Sequence, residues 1–170
     1  MKKVLIAFTF VCLNFGFAQA ATPIQRDSLR YLPGVAVIIE EVPADAKADG
    51  LSEDLIRAAA DRSLQSSRVT VLTPAEQANT PSKPSLYVRV STYRIRSGLY
   101  AYAVTVALKQ SVILAHRPQR TMVATTWEEG VIGTPGPNNL HQATKAVEDL
   151  VTVFVRDFQA ANNQDAVREE

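Results

Sequence analysis

Histidine titrates nearer to neutral pH than any other side chain, so His116 and His141 are the first candidates for chemistry. His116 lies in a predicted hairpin turn, and His141 lies in the first turn of a predicted helix. Neither has a second His, Asp or Glu at the HxxxH or HExxH spacing that places zinc ligands on one helix face. The sequence therefore predicts no metal site, and both histidines are expected on the surface.

Two neighbouring carboxylates, Glu128 and Glu129, follow the only tryptophan, Trp127. They lie in a predicted strand, where successive side chains point to opposite faces, so they cannot serve as acid and base on one substrate. Core or edge packing is favoured for Trp127 over a role as a sugar-binding platform. No serine lies in a GxSxG motif. The sequence predicts no catalytic residues and no cofactor, and an enzyme is the least favoured class.

A segment rich in glycine and proline, residues 130–140, precedes a predicted helix. Free N–H groups at a helix N-terminus can hold a phosphate or carboxylate, so an anion site is one interpretation. Its candidate ligands are Gly130, Gly133, Gly136, Asn138 and Asn139. The segment is neither GxGxxG nor a P-loop, because no lysine follows the glycines, and its two prolines lack N–H donors. A connection from sheet to helix is favoured over the anion site.

Tyrosines and arginines cluster around a predicted hairpin near Gly98. Both residue types are enriched at the hot spots of protein interfaces. The candidate binding residues of this hairpin corner are Tyr93, Arg94, Arg96, Tyr100 and Tyr102. The alternative, which is slightly favoured, is that two or three of these rings pack beneath helices.

The spacing of apolar residues indicates the strands that position these side chains. Three strands running back and forth are predicted between Ser85 and Gly133, with a bulge near Ser91. Two earlier β-branched runs predict a central strand at Val35–Val42 and a short strand at Val69–Leu72.

Two amphipathic helices are also predicted. Ser52 is a favoured N-cap residue, and apolar residues follow it at steps of three and four up to Leu64. A second apolar stripe runs from Leu140 to Phe158, with Asn138 or Asn139 as its cap. Asp157 falls outside this stripe and is expected in solvent.

These elements predict a two-layer α+β sandwich in the order β-α-β-β-β-β-α, with a mostly antiparallel sheet and two helices on one face. The predicted organisation is a signal peptide over residues 1–20, a flexible lead-in over 21–33, one domain over 34–161 and a disordered tail over 162–170. No change of composition marks a second domain.

The first twenty residues have the composition of a secretory signal peptide. Lys2 and Lys3 precede the apolar run VLIAFTFVCLNFGF, and Ala18-Gln19-Ala20 is typical of a cleavage site. The run is shorter than the ~20 apolar residues of a membrane span, so an anchor is disfavoured. Cleavage after Ala20 also removes the only cysteine, which leaves no disulfide. The protein is expected to be exported, with the periplasm favoured over the extracellular space.

Charge argues against one class of partner. The sequence has 18 Lys and Arg against 17 Asp and Glu, and cleavage removes Lys2 and Lys3, which leaves 16 against 17. Scattered charges on a nearly neutral chain do not form the basic surface that binds nucleic acid, so no nucleic-acid partner is predicted.

Three segments carry a resemblance: GLSEDLIRAAADRSLQSSRVTVL, LYVRVSTYRIRSGLYAYAVTVALKQSVIL and VATTWEEGVIG. Together they resemble a family of small, exported, uncharacterised bacterial proteins, which implies export but no particular activity. The order of elements is also similar to α+β envelope domains such as the N-terminal domain of TolB. That second likeness concerns topology and transfers no site residues.

The sequence thus favours an exported, non-enzymatic binding domain whose partner is another envelope protein. The partner would contact the hairpin corner or pair with the free edge of the sheet. The alternative is a small-molecule or anion-binding protein that uses the segment before the last helix. No membrane span is expected in the mature chain, and the oligomeric state is left open.

Overall fold

The computed structural model describes residues 21–67, 69–96, 99–134 and 140–163. Its elements in chain order are α1 (Pro23–Asp27), β1 (Ala36–Ile39), α2 (Ala44–Ala48), α3 (Glu53–Ser66), α4 (Pro74–Asn79), β2 (Ser85–Arg94), β3 (Tyr100–Leu114), β4 (Arg117–Gly133) and α5 (His141–Asn163). The predicted signal peptide, the tail after residue 163 and the cap candidates Asn138 and Asn139 lie outside the described residues, and those predictions stay predictions.

Four strands form one sheet in the order β1-β2-β3-β4. β1 and β2 are parallel, whereas β3 is antiparallel to both β2 and β4. The register places Leu86, Leu108 and Trp127 side by side on one face, where α3 and α5 pack together. The predicted α+β class, with a mostly antiparallel sheet and helices on one face, is confirmed.

The core lies between this sheet face and the helices. Trp127 and Phe154 are fully buried and meet edge-on, with 5.2 Å between ring centroids. Burial of one large apolar side chain contributes about 1.5–3 kcal/mol before entropy is counted. Because α5 buries a whole stripe of them, its docking is a main stabilising contribution of the fold, and Trp127 has the core position that its sequence context predicts.

The two predicted amphipathic helices are present as α3 and α5, whereas α1 and α2 were not predicted. The Ser52 hydroxyl accepts a hydrogen bond from the Leu55 N–H at 3.2 Å and caps α3. Thr73 and Glu76 form a capping box that starts α4. α5 continues to Asn163, slightly past the predicted domain end at 161. In the part of the chain that the structure describes, no helix has the length and apolar character needed to cross a membrane.

Two strand predictions need correction. The segment Val69–Leu72 forms no strand of the sheet, because only Val71 makes an isolated parallel bridge, to Val35. β1 therefore lies at an edge of the four-stranded sheet and not at its centre. Thr73 then caps α4, and the pairing ends after a single bridge.

The expected bulge near Ser91 is also wrong. β2 and β3 pair without interruption from Ser85 opposite Lys109 to Arg94 opposite Tyr100. The irregularities lie instead between β3 and β4, at Leu108/Lys109 and Ile113/Leu114.

The lead-in over residues 21–33 is folded where the sequence suggested flexibility. Thr22 caps α1, and Leu29 is fully buried. The Asn162 amide Nδ2 donates to the Leu29 carbonyl at 3.1 Å, and its Oδ1 accepts from the Tyr31 N–H at 2.9 Å. The segment lacks apolar periodicity because it enters the core through few side chains, so its docking left no pattern in the sequence.

Candidate functional site

β3 and β4 extend past Lys109, the last β3 residue that pairs with β2. Residues 110–124 therefore include a two-stranded arm, which we call the ribbon. Its exposed apolar side chains are Ile113, Met122 and Val123, of which Ile113 and Val123 are 65% and 64% exposed. β4 is the terminal strand of the described sheet, so its outer edge presents backbone groups that no described strand pairs.

The ribbon has one sign of charge. It contains Arg117 and Arg120, both exposed, and Lys109 stands at its base, while residues 110–124 include no Asp or Glu. The Lys109 ammonium lies 3.2 Å from the centroid of the Tyr87 ring, which engages it in a cation–π contact. The two arginines are therefore the cations that the ribbon presents to solvent.

Tyr87 is held in place on the face of the sheet that points away from α3 and α5. Its hydroxyl donates to Glu40 Oε2 at 2.5 Å, and this hydrogen bond raises the pKa of Tyr87. With Lys109 against its ring, Tyr87 is engaged at both its ring and its hydroxyl. Tyr87 links the residue that follows β1 to β2 and β3 and is a structural residue.

The five predicted residues of the hairpin corner differ in burial. Tyr100 is fully buried, and its hydroxyl donates to Asp49 Oδ2 at 2.7 Å, which raises the pKa of Tyr100. Arg94 lies 5.8 Å from the centroid of the same ring, and its guanidinium is 3.7 Å from Asp49. These three residues tie the end of α2 to the hairpin, so Tyr100 is not presented to a partner.

The other corner residues face different ways. Tyr93 is 71% exposed and is next to Arg94 along β2, so it points to the opposite sheet face. Arg96 is exposed, and Tyr102 is half-buried beside the start of α5. Of the five predicted residues, only Tyr93, Arg94 and Arg96 present side chains to solvent at the hairpin.

The predicted anion ligands fall partly within β4. Gly130 pairs with Thr105 and Gly133 with Tyr102, so both belong to the strand and not to a loop. A Cβ on Gly133 would lie 2.5 Å from the Tyr102 ring, which explains the glycine by close packing. Gly136, Asn138 and Asn139 lie outside the described residues, and the anion site stays a prediction.

Two grooves flank the first turns of α5. One of about 460 Å³ is lined by Tyr102, Val131 and Val153, and one of about 430 Å³ lies against α3. Both include His141 and Lys145. The Lys145 ammonium pairs with Asp149 at 2.6 Å, which raises the pKa of Lys145. Because this cation is already paired, it does not favour an anion in either groove.

Two carboxylates are buried next to Trp127, and the sequence pattern revealed only part of this cluster. Asp157, expected in solvent, is buried and accepts a hydrogen bond from the Trp127 indole Nε1 at 3.1 Å. As strand alternation predicts, the two glutamates point to opposite faces: Glu128 is exposed, whereas Glu129 is only 4% exposed. Burial first, and then the charge of Asp157, raise the pKa of Glu129.

The two histidines belong to different elements of the fold. His116 lies in the turn between β3 and β4, and His141 begins α5. Over the described ranges, no three His, Cys, Asp or Glu side chains are grouped to hold a metal ion.

No protein-family model, no curated protein and no solved structure matches this chain. The candidate sites therefore rest on the sequence and on the geometry described above.

Proposed function

We propose that the protein is an exported, non-enzymatic binding domain that takes up an extended segment of a partner protein along the outer edge of β4 at the ribbon. The observation that carries the proposal is the ribbon itself, which continues beyond β2 with exposed apolar side chains and a free edge. Export is supported by the composition of residues 1–20, and the periplasm is the favoured compartment.

Backbone pairing supplies the affinity in this mode of binding. An extended peptide that joins a sheet edge satisfies the edge N–H and C=O groups and places alternate side chains on the two faces. Met122 and Val123 are neighbours on β4, so they point to opposite faces and offer apolar contacts on both. A partner segment with β-branched residues on its two faces fits this surface.

Charge selects among such segments. Arg117 and Arg120 are cations, and residues 110–124 include no carboxylate to offset them. Like charges repel and opposite charges steer encounter, so an acidic segment is preferred. The proposed partner is therefore a protein with an exposed, acidic strand-forming segment, which is consistent with another envelope protein.

A synthetic peptide that alternates Glu and Val, compared with the matched peptide of Lys and Val, tests this proposal. The exported protein should bind the Glu peptide more tightly, and amide NMR shifts should concentrate on residues 117–125. The double variant Arg117→Glu, Arg120→Glu should weaken binding by roughly tenfold or more, since two charge contacts at about 0.2–1 kcal/mol each are lost and replaced by repulsion.

The double variant Arg94→Glu, Arg96→Glu is the matched control, because it reverses two charges at the hairpin corner. It should leave peptide binding unchanged. Loss of binding in this control with no effect of the ribbon variant would place the interface at the corner and contradict the proposal. Binding of vesicles that contain anionic lipid, with no binding of the Glu peptide, would instead make the ribbon a membrane contact.

A further inference from the structure

The backbone of Ala21 lies against the buried carboxylate of Glu129. Ala21 and Glu129 are each only 4% exposed, and the Ala21 N–H donates a hydrogen bond to the Glu129 carboxylate. Within the described residues, Glu129 Oε1 has no hydrogen-bond partner. A buried carboxylate thus has one neutral donor and one unsatisfied oxygen.

The nearby cations, Arg26 and Arg156, form ion pairs with Asp157. Arg26 Nε and Arg156 Nη2 lie 3.6 Å and 3.5 Å from Asp157 Oδ1. The charge of Arg156 acts on Glu129 at longer range, and the described ion pairs include none to Glu129 itself. An unpaired buried carboxylate is costly, because burial removes the water that would stabilise its charge.

Ala21 is also the residue that would become first after cleavage at Ala18-Gln19-Ala20. Cleavage replaces the Ala21 peptide N–H with an ammonium group, which carries a positive charge and three N–H donors. The new charge would arise beside Glu129 and would bring two more N–H donors than the peptide nitrogen has. The same nitrogen that is a single neutral donor in the precursor becomes a counter-ion in the mature chain.

We propose that the α-ammonium of Ala21 is a structural ligand of Glu129, so that removal of residues 1–20 completes a buried ion pair and stabilises the mature protein. The proposal rests on the export in the proposed function, but not on the ribbon or its partner. Stability therefore depends on whether the Ala21 nitrogen is a neutral peptide N–H or a charged ammonium group.

The ion pair gives a defined pH dependence. The α-amino pKa is about 7.7–8.0 in an unfolded chain and is raised in the folded chain by the Glu129 carboxylate. Its contribution to stability is therefore fully present below about pH 7.7 and is lost as pH rises through the folded pKa. Asp157, Arg26 and Arg156 are the other charged groups that face this cluster.

The test uses the full-length precursor, exported and purified, and a variant with Gly-Ser inserted between Ala20 and Ala21. Cleavage after Ala20 then leaves an ammonium in both proteins but displaces it by roughly 7 Å in the variant. At pH 6.5 the insertion should lower the melting temperature by roughly 2–4 °C. This difference should shrink above about pH 9, after the α-amino group has lost its proton.

Glu129→Gln, made in the wild-type chain and in the insertion variant, should remove most of the difference in melting temperature between them. Glu128→Gln, at an exposed position, should leave that difference unchanged. A second readout avoids reliance on folding of the Gln variants: the α-amine should react with an acylating reagent at pH 7 roughly tenfold more slowly in the native protein than in the insertion variant.

Three results would overturn the inference: equal melting temperatures for the two proteins, a difference that persists unchanged in Glu129→Gln, or a mature protein whose mass places its first residue elsewhere. The mass measurement separates an error in the cleavage site from an error in the ion pair. The peptide experiment on the ribbon is independent of all three results.

Discussion

The indole of Trp127 links the apolar core to the buried carboxylates. Its ring packs on Phe154, while its N–H is a donor to Asp157 Oδ2. Arg26 and Arg156 complete the surroundings of Asp157. A charged group can be buried here because a hydrogen bond and two cations compensate it.

Trp127→Phe should destabilise the protein by about 2–4 kcal/mol. The smaller ring leaves a cavity, and the Asp157 carboxylate loses its indole donor. Urea unfolding measures the loss. Glu128→Gln, on the exposed side of the same strand, should change stability by less than about 0.5 kcal/mol. A loss below about 1 kcal/mol for Trp127→Phe would show that the indole hydrogen bond contributes little.

At the scale of elements, Glu53 connects α3 to the segment before it. Its carboxylate accepts from the Val42 N–H at 2.9 Å and pairs with Lys47 of α2 at 2.7 Å. The Lys47 hydrogen bond, followed by that of Val42, lowers the pKa of Glu53 to about 2. One side chain thus fixes the path of the chain between β1 and α3.

Glu53→Gln should lower the melting temperature at pH 7, and the difference from wild type should fade as pH drops. The folded pKa of this carboxyl is below its ordinary 4.5, so its contribution is present above about pH 4.5 and is lost as pH falls through about 2. Thermal unfolding between pH 2 and pH 7 measures this.

Glu41→Gln is the matched control for that series, since Glu41 also approaches Lys47, at 3.6 Å, but its side chain is largely exposed. It should have a smaller effect at every pH. A difference for Glu53→Gln that is constant from pH 7 to pH 2 would mean that ionisation of Glu53 does not stabilise this connection.

Elements with a repeating apolar pattern could be predicted, and contacts made by isolated residues could not. The stripe of α5 and the alternation of β3 appear in the sequence because each buries many side chains on one face. Ala21 and Leu29 enter the core without periodic spacing, and Asp157 is buried by its partners in space, so none of them had a local pattern. Tyr100 was a candidate for binding because its partner, Asp49, is distant in sequence.

At the scale of the whole molecule, the buried core ends where the ribbon begins. Within the described sheet, the largest fully buried side chains lie on β2, on β3 up to Leu108 and at Trp127 of β4. The ribbon tip pairs mainly with itself. Such a two-stranded arm can change with little effect on the rest of the fold.

Replacement of residues 112–122 by Asn-Gly should keep the domain folded. Ser111 and Val123 are register partners, so a two-residue type I′ turn can join them directly. The melting temperature should change by less than roughly 4 °C, while binding of the Glu peptide is lost. Thermal unfolding tests whether the shortened domain stays folded, and peptide titration tests whether binding is lost. Unfolding of the shortened protein would show that the ribbon belongs to the folding unit.

A hydrogen bond between the segment that follows α1 and the end of α5 joins residues that are 131 positions apart, Tyr31 and Asn162. The hydrogen bond from Asn162 to the Leu29 carbonyl cannot form until nearly the whole described chain is present. Contacts of such sequence separation form late, because the intervening chain must be ordered first. The first segment of the described chain is therefore expected to dock late in folding, after α5 has formed.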